Sequence, residues 1–264
     1  MYLKISHRTE YSYDVTLSYA LQRLRLIPRS GPTQAVLSWS LKLEGAKEEV
    51  GFTDHFGNEN RLVSIDGNTQ LVVVEASGSV QTSNKAGVTG AHYGFAPLWL
   101  FERETPLTEG GELVASLAAS VSDGSDIARL HTLMGTIAEK VAYKTGSTDA
   151  TTTAEQALGR GEGVCQDHAH IFISAARLMK FPARYVSGYL LMDGTTEQAA
   201  SHAWAEAYVD SLGWVAFDAA NGISPDERYV RIATGRDYRE AAPVSGIRLG
   251  QAAEELAVWI TVEQ

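Results

Sequence analysis

The sequence of 264 residues contains one cysteine. No intramolecular disulfide can form from it, nor a zinc site built from cysteines alone. Basic residues are in deficit: 22 Lys and Arg stand against 32 Asp and Glu, a formal net charge of -10. That balance argues against a general role on nucleic acid or on an anionic membrane, both of which would repel the chain. It leaves the charge of a small substrate open. No run approaches the roughly 18 uncharged apolar residues of a membrane helix. The opening stretch, MYLKISHRTEYSYD, alternates polar and apolar types and lacks the apolar core of a signal peptide. A cytoplasmic protein with neither nucleic-acid nor membrane partners is the expectation. Internal repeats and low-complexity tracts are missing as well. What is present is a globular composition, 44% hydrophobic and 20% charged. The length suits one large or two modest domains and a sizeable core without staples or metals.

Residues 1 to about 90 read as β. The runs Tyr2–Tyr13, Leu21–Leu26, Ala35–Leu43, Arg61–Ile65 and Leu71–Ala76 are short, and several alternate apolar and polar residues. Turn signals divide them: Pro28-Arg29-Ser30-Gly31-Pro32, Phe56-Gly57-Asn58 and Asp66-Gly67-Asn68. Period-2 alternation with such punctuation predicts an antiparallel sandwich. His7, Asp54 and His55 are its only polar cluster of note, and a solvated loop explains them. The polar, Gly-rich stretch Ser83–Ala91 is the linker candidate, giving a β-rich domain over 1–90 and a second domain over 91–264.

Beyond it the pattern turns helical. Glu112–Ala119 is rich in Ala and Leu. Asp126–Val141 spaces Ile127, Leu130, Leu133, Met134, Ile137 and Val141 by three and four, an amphipathic helix with Asp123 and Ser125 as cap candidates. A polar loop over Thr145–Thr153 leads to a short helix at Ala154–Leu158. After Gly159-Arg160-Gly161-Glu162-Gly163, a helix from Cys165 carries Ala169, Phe172, Ala176 and Met179 on one stripe, and Pro182 ends it. Strand-like runs follow at Ala183–Leu191, His202–Val209 and Gly213–Asp218, then near Tyr229–Ala233 and Leu256–Val262.

Cys165 therefore begins a helix directly after a glycine-rich turn. The unpaired N–H groups and the helix dipole at such a place favour a thiolate, and the same N–H groups can receive an oxyanion when it attacks a carbonyl. A structural cysteine more usually sits mid-helix on the apolar face. A cysteine nucleophile needs a base, normally histidine. His202 opens the strand His202-Ala203-Trp204-Ala205-Glu206-Ala207-Tyr208-Val209, whose small face suits a helix and whose polar and aromatic face suits a cleft wall. A hairpin through Asp210-Ser211-Leu212 that pairs Val209 with Gly213 sets Trp204 opposite Asp218. His202 and Asp218 then share a face, one pleat apart. Asp218 could orient the imidazole there as the third member of a triad. A one-residue slip would separate them.

These segments resemble the transglutaminase-like superfamily, in its bacterial branch with a β-rich N-terminal region. The resemblance rests on GEGVCQDHAHIFISAARLMKFPARYVSGYL (Gly161–Leu190), SHAWAEAYVDSLGWVAFDAANG (Ser201–Gly222) and YVRIATGRDYREAAPVSG (Tyr229–Gly246). At the N-terminus it rests on YSYDVTLSYALQRLRLIPRSGPTQAVLSWSL (Tyr11–Leu41). It implies an α+β, papain-like core, a Cys-bearing helix packed on an antiparallel sheet, preceded by the all-β sandwich-like domain. It implies Cys165 as nucleophile, His202 as general base and acid, and Asp218 as orienting residue, with no cofactor. Two departures stand out. The family often has an aromatic residue in place of His168, and Asp-Pro-Thr-Asn in place of Asp218-Ala219-Ala220-Asn221, a change expected to loosen the loop that fixes Asp218.

Gln166, Asp167, Trp204 and Tyr185 are the candidate substrate-binding residues. Asp167 could instead serve the helix dipole, and Trp204 could instead shield the His–Asp hydrogen bond or fill the core. Tyr143 and Tyr185 are candidate side-chain donors to an oxyanion. Arg236 and Asp237 are expected as an ion pair. The function expected is hydrolysis of a peptide or amide bond through a thioester. The alternatives are transglutaminase-type transfer to an amine, an inactive interaction module, and a metal site from Cys165, Asp167, His168 and His170. The metal reading lacks a spaced second ligand pair, and no metal is expected.

Overall fold

A computed structural model describes residues 1–66, 69–250 and 252–264. The turn expected at Asp66-Gly67-Asn68 falls on Gly67 and Asn68, outside the described residues. Six strands open the chain: β1 (Tyr2–Tyr13), β2 (Tyr19–Ile27), β3 (Gln34–Glu44), β4 (Lys47–Thr53), β5 (Glu59–Asp66) and β6 (Leu71–Thr82). Burial along β1 alternates, with Leu3, Ile5, His7, Thr9, Tyr11 and Tyr13 inside, as a strand with one face in the core requires. The sequence reading finds no strand at β4 because all seven of its residues are exposed.

The rest is mixed. β7 (Val88–Gly90), a 3-10 turn (Leu98–Glu102), α1 (Glu112–Ala119), α2 (Asp126–Lys140), β8 (Ala142–Tyr143), α3 (Ala154–Arg160) and β9 (Glu162–Gly163) lead to α4 (Cys165–Leu178). Then come β10 (Ala183–Leu190), β11 (Glu197–Gln198), β12 (His202–Val209), β13 (Gly213–Phe217), β14 (Tyr229–Gly235), α5 (Tyr238–Ala241), β15 (Val244–Leu249) and β16 (Glu254–Glu263). This is an α+β fold. A five-stranded antiparallel sheet, β14-β10-β12-β13-β7, carries α4 on one face, and two further sheets, β11-β16-β1-β6-β3 and β15-β2-β5-β4, form the sandwich.

Strand pairing crosses the division expected at residue 90 in both directions. β7, within the supposed linker, is the edge strand beside β13. β15 and β16 return to pair with β2 and β1. The outer edge of β14 is covered by amide side chains of the sandwich. Gln34 exchanges both its groups with the Arg231 backbone (2.9 and 2.8 Å), and Asn58 does the same with Thr234 (2.8 and 2.8 Å). An edge strand's unpaired backbone groups need such partners. His7 is no loop residue: it is buried, with Nδ1 2.8 Å from the Tyr189 hydroxyl. Burial lowers its pKa to about 4. Asp54 likewise organises its own loop, accepting from the N–H groups of Phe56 and Asn58.

α4 is the element that positions the site, and twelve of its fourteen residues are buried. Ala203, Ala205 and Ala207 of β12 pack on it within one apolar core, their small side chains admitting a helix close to the sheet. Phe172 stacks on Phe217 of β13 at 4.9 Å between ring centres. At the far end the Arg177 guanidinium donates to Phe101 O, Thr108 Oγ1, Ala183 O and Arg236 O, at 2.6 to 2.9 Å. The helix C-terminus is thereby tied to β10 and to the segment before α1. Replacing Phe172 by Ala is expected to remove about 3–5 kcal/mol from unfolding in urea, through lost burial and the cavity left behind.

Candidate active site

Three structural devices bring Cys165 to its place. Gly161 ends α3 in the left-handed region at φ 66°, which costs a glycine little. β8 and β9 pair in parallel, setting Tyr143 beside Gly163. Gly163 leaves room for Asp167, since a Cβ there would lie 2.7 Å from that side chain. Asp167 then accepts from the Val164 N–H (2.7 Å) and the Thr148 hydroxyl (2.6 Å) through the same oxygen. A carboxylate at this first turn satisfies an orphan donor and complements the dipole. The Cys165 N–H remains without a protein acceptor among the described residues.

The β12–β13 register pairs Val209 with Gly213 and Ala205 with Phe217. Just past the last of these pairs, His202 and the Asp218 carboxylate meet. His202 Nε2 lies 2.6 Å from Asp218 Oδ2, with both side chains buried. Cys165 is near enough to the same ring to raise its pKa, and Asp218 takes Nε2, leaving Nδ1. Burial works against a charge on His202, but Asp218 and Cys165 outweigh it and raise its pKa to about 10. Burial also opposes ionisation of Asp218. His202, Asn221 and Tyr229 nevertheless hold that carboxyl below its ordinary value.

The loop after Asp218 is tight rather than loosened by its Ala-Ala. Asp218 Oδ1 accepts from the N–H groups of Ala220 (3.0 Å) and Asn221 (3.2 Å). Oδ2 accepts from Asn221 Nδ2 (2.7 Å) and the Tyr229 hydroxyl (2.8 Å). The backbones of Asp218 and Ile223 close the turn. Asn221 and Tyr229 are partners that the sequence reading missed. Asn221 had a local signal, an Asp-x-x-Asn spacing that allows a side chain to close on its own turn. Tyr229 arrives from another strand with no such signal.

Of the four expected substrate-binding side chains, only Gln166 is partly exposed, on the first turn beside Cys165. Asp167 is buried as the helix cap. Trp204 is buried against His202, ring centres 6.3 Å apart, and edge-on to Tyr229 at 5.4 Å. Tyr185 is buried against His170 and Tyr238. Its hydroxyl has no protein partner among the described residues, and burial together with nearby Cys165 raises its pKa well above the ordinary value. Tyr143 is half exposed, and burial, Cys165 and Asp218 raise it to about 12. The expected Arg236–Asp237 pair is corrected: Arg236 pairs with Glu240, while Asp237 caps α5 through the Glu240 N–H. His168 places each ring nitrogen 2.9 Å from a carbonyl, Val164 O and Val141 O. No group of three His, Cys, Asp or Glu is arranged for a metal among the described residues.

The geometry is that of a papain-like α+β core, a Cys-bearing helix on an antiparallel sheet. The transglutaminase-like superfamily matches residues 114–219, and the bacterial transglutaminase-like N-terminal region matches residues 3–81. A crystal structure of a candidate cysteine protease from Cytophaga hutchinsonii superposes with a TM-score of 0.77 at 23% identity, covering 100% of this chain and 91% of that one. An uncharacterized protein of Mycobacterium leprae is 27% identical over 98% of both chains. Another, from Mycobacterium tuberculosis, is 26% identical over 92% of this chain and 86% of its own. The chain belongs to the transglutaminase-like superfamily, with the bacterial N-terminal region.

The shifts of His202 and Asp218 fix a pH window for stability. A raised imidazole contributes in full below its ordinary 6.5 and loses that contribution as pH rises through about 10. A lowered carboxyl contributes above its ordinary 3.8 and loses it in acid. The urea stability gap between the native chain and Asp218→Asn is therefore expected to be widest between those two ordinary values. It should narrow toward pH 10 and again toward pH 2.

Proposed function

We propose that the protein is a cysteine peptidase or amidase with Cys165, His202 and Asp218 as its triad. The observation that carries this reading is the 2.6 Å His202–Asp218 contact, on a ring whose pKa nearby Cys165 also raises. In the reaction, the thiolate attacks an amide carbonyl carbon and the C=O electrons move onto oxygen. The Cys165 N–H and the Tyr185 hydroxyl receive that oxyanion. Collapse expels the amine, which takes the His202 Nδ1 proton, and leaves a thioester on Cys165. Water then gives a proton to His202, attacks the thioester and releases the carboxylic acid, while the proton returns to the Cys165–His202 pair. Asp218 holds the imidazole orientation and its charged form throughout. Gln166, partly exposed on the first turn after Cys165, takes the role of substrate contact in this reading.

Iodoacetamide is expected to label Cys165 quickly near neutral pH, at a rate about tenfold or more lower in His202→Ala. With a turned-over peptide or amide, His202→Ala should lose about 10²–10⁴-fold in kcat. Tyr185→Phe should lose about 10²-fold in kcat with KM little changed. An added primary amine captured as a new amide would redirect the reading to transglutaminase-type transfer. Equal, slow labelling of both proteins, with no amide turned over, would overturn the enzyme reading in favour of an interaction module.

A further inference from the structure

The outer face of the core sheet, away from α4, holds a second buried ionic group that the triad does not use. Glu206 of β12 has no exposed surface. Arg184, its cross-strand partner on β10, donates to Oε2 from Nε (2.7 Å) and Nη2 (2.6 Å). Arg231 of β14 donates to Oε1. The Arg184 guanidinium also lies 3.9 Å from the Trp214 ring centre, a cation–π contact that fixes its plane. One carboxylate thus answers two guanidinium groups. Burial lowers Arg184 to about 10 against the pull of Glu206, so it stays charged at neutral pH. The remaining N–H groups of both forks have no protein acceptor among the described residues.

A cavity of about 470 Å³ opens onto both arginines, where the sandwich loops over 29–34 and 53–58 and the segment over 89–95 meet the sheet. Its volume is that of a small-molecule site. Arg29 adds a third cation to the lining, and Asp54 is the single acidic residue there. The Asp54 oxygens are already taken by the N–H groups of Phe56 and Asn58 and by the amides of Asn58 and Asn60. The wall also holds three aromatic rings besides Trp214: Phe56, Tyr93 and Phe95. Tyr93 is 80% exposed and Phe95 93% exposed, which sets two large apolar rings in water beside a cationic recess.

We propose that this cavity binds a small organic anion, a carboxylate or phosphate ester that carries an aromatic body. The anion lies on the free N–H groups of Arg184 and Arg231, with Arg29 alongside, since guanidinium forks match the oxygens of both anions. The aromatic body lies against Phe56, Tyr93 and Phe95, covering rings now exposed. This site stands apart from Cys165 and holds whether or not the amidase reading does.

Calorimetric titration of the full chain with phenylacetate, phenyl phosphate, inorganic phosphate and benzyl alcohol tests it. Saturable one-to-one binding is expected for at least one aromatic anion, and the tighter of the two separates carboxylate from phosphate. Inorganic phosphate and benzyl alcohol should each bind more weakly, having half the recognised features. Arg29→Gln and Phe95→Ala, at exposed positions that the fold tolerates, should each weaken the aromatic anion, the first by about tenfold. No saturable binding of either aromatic anion would overturn the proposal. So would benzyl alcohol or inorganic phosphate binding as tightly, or affinities unchanged in both variants.

Discussion

A carboxylate sealed from water is tolerable only when donors replace its hydration. Asp218 has no exposed surface, and five donors surround it: the N–H groups of Ala220 and Asn221, the Asn221 amide, the Tyr229 hydroxyl and His202. Those donors come from β12, the turn after β13 and the first residue of β14. The carboxylate therefore ties three chain segments to one point, and the imidazole is oriented by whatever holds that point. Breaking such a buried pair costs on the order of 3–5 kcal/mol, so the charge arrangement and the local fold stand or fall together.

The other half of the site depends on α4 keeping its position. A helix N-terminus can present a sulfur and an N–H to a substrate only if the helix cannot slide. Asp167 fixes its first turn and His168 links Val164 to Val141, joining the helix to the end of α2. Arg177 fastens the last turn. The alanines of β12 let this rod lie against the sheet. The sandwich in turn braces the sheet from the other side, because β14 would be a bare edge without Gln34 and Asn58.

Much of this was legible in the chain. The alternation in Tyr2–Tyr13 and the three-four spacing in Asp126–Val141 state their elements directly, because burial of one face imposes the period. The pairing of Val209 with Gly213 has to be assumed from the turn, and the observed register agrees with it and brings His202 to Asp218. What escaped is what only three dimensions supply. β4 buries nothing, so its seven residues carry no period. The return of β15 and β16 to the sandwich is a pairing at long range, invisible to local pattern. Asp167 carries two readings in sequence, a substrate contact beside Cys165 or a partner of the helix dipole, and the Val164 N–H it accepts from is visible only in three dimensions. Arg236 lies next to Asp237, yet Asp237 is engaged in capping α5, and Glu240, four residues ahead, takes the guanidinium. The fold class carried over; the accessory roles shifted with burial.

One face of β12 carries both ionic groups, His202 at its start and Glu206 two pleats on. Charges in a low dielectric act over longer distances than in water, so the spacing of the two groups matters. Trp204 and its cross-strand partner Val186 lie between them, in an apolar cluster completed by Leu190, Ala216 and Tyr229. His202 and Asp218 are close to neutral as a pair, whereas Glu206 with its two arginines keeps one positive charge in excess. The indole stands as a spatial partition between the two, and His202 takes its shift from Asp218 and Cys165 rather than from Glu206. The indole that looked like a cleft wall is better understood as that partition. It lets a single strand hold the His202–Asp218 pair at one end and the Glu206–arginine cluster further along.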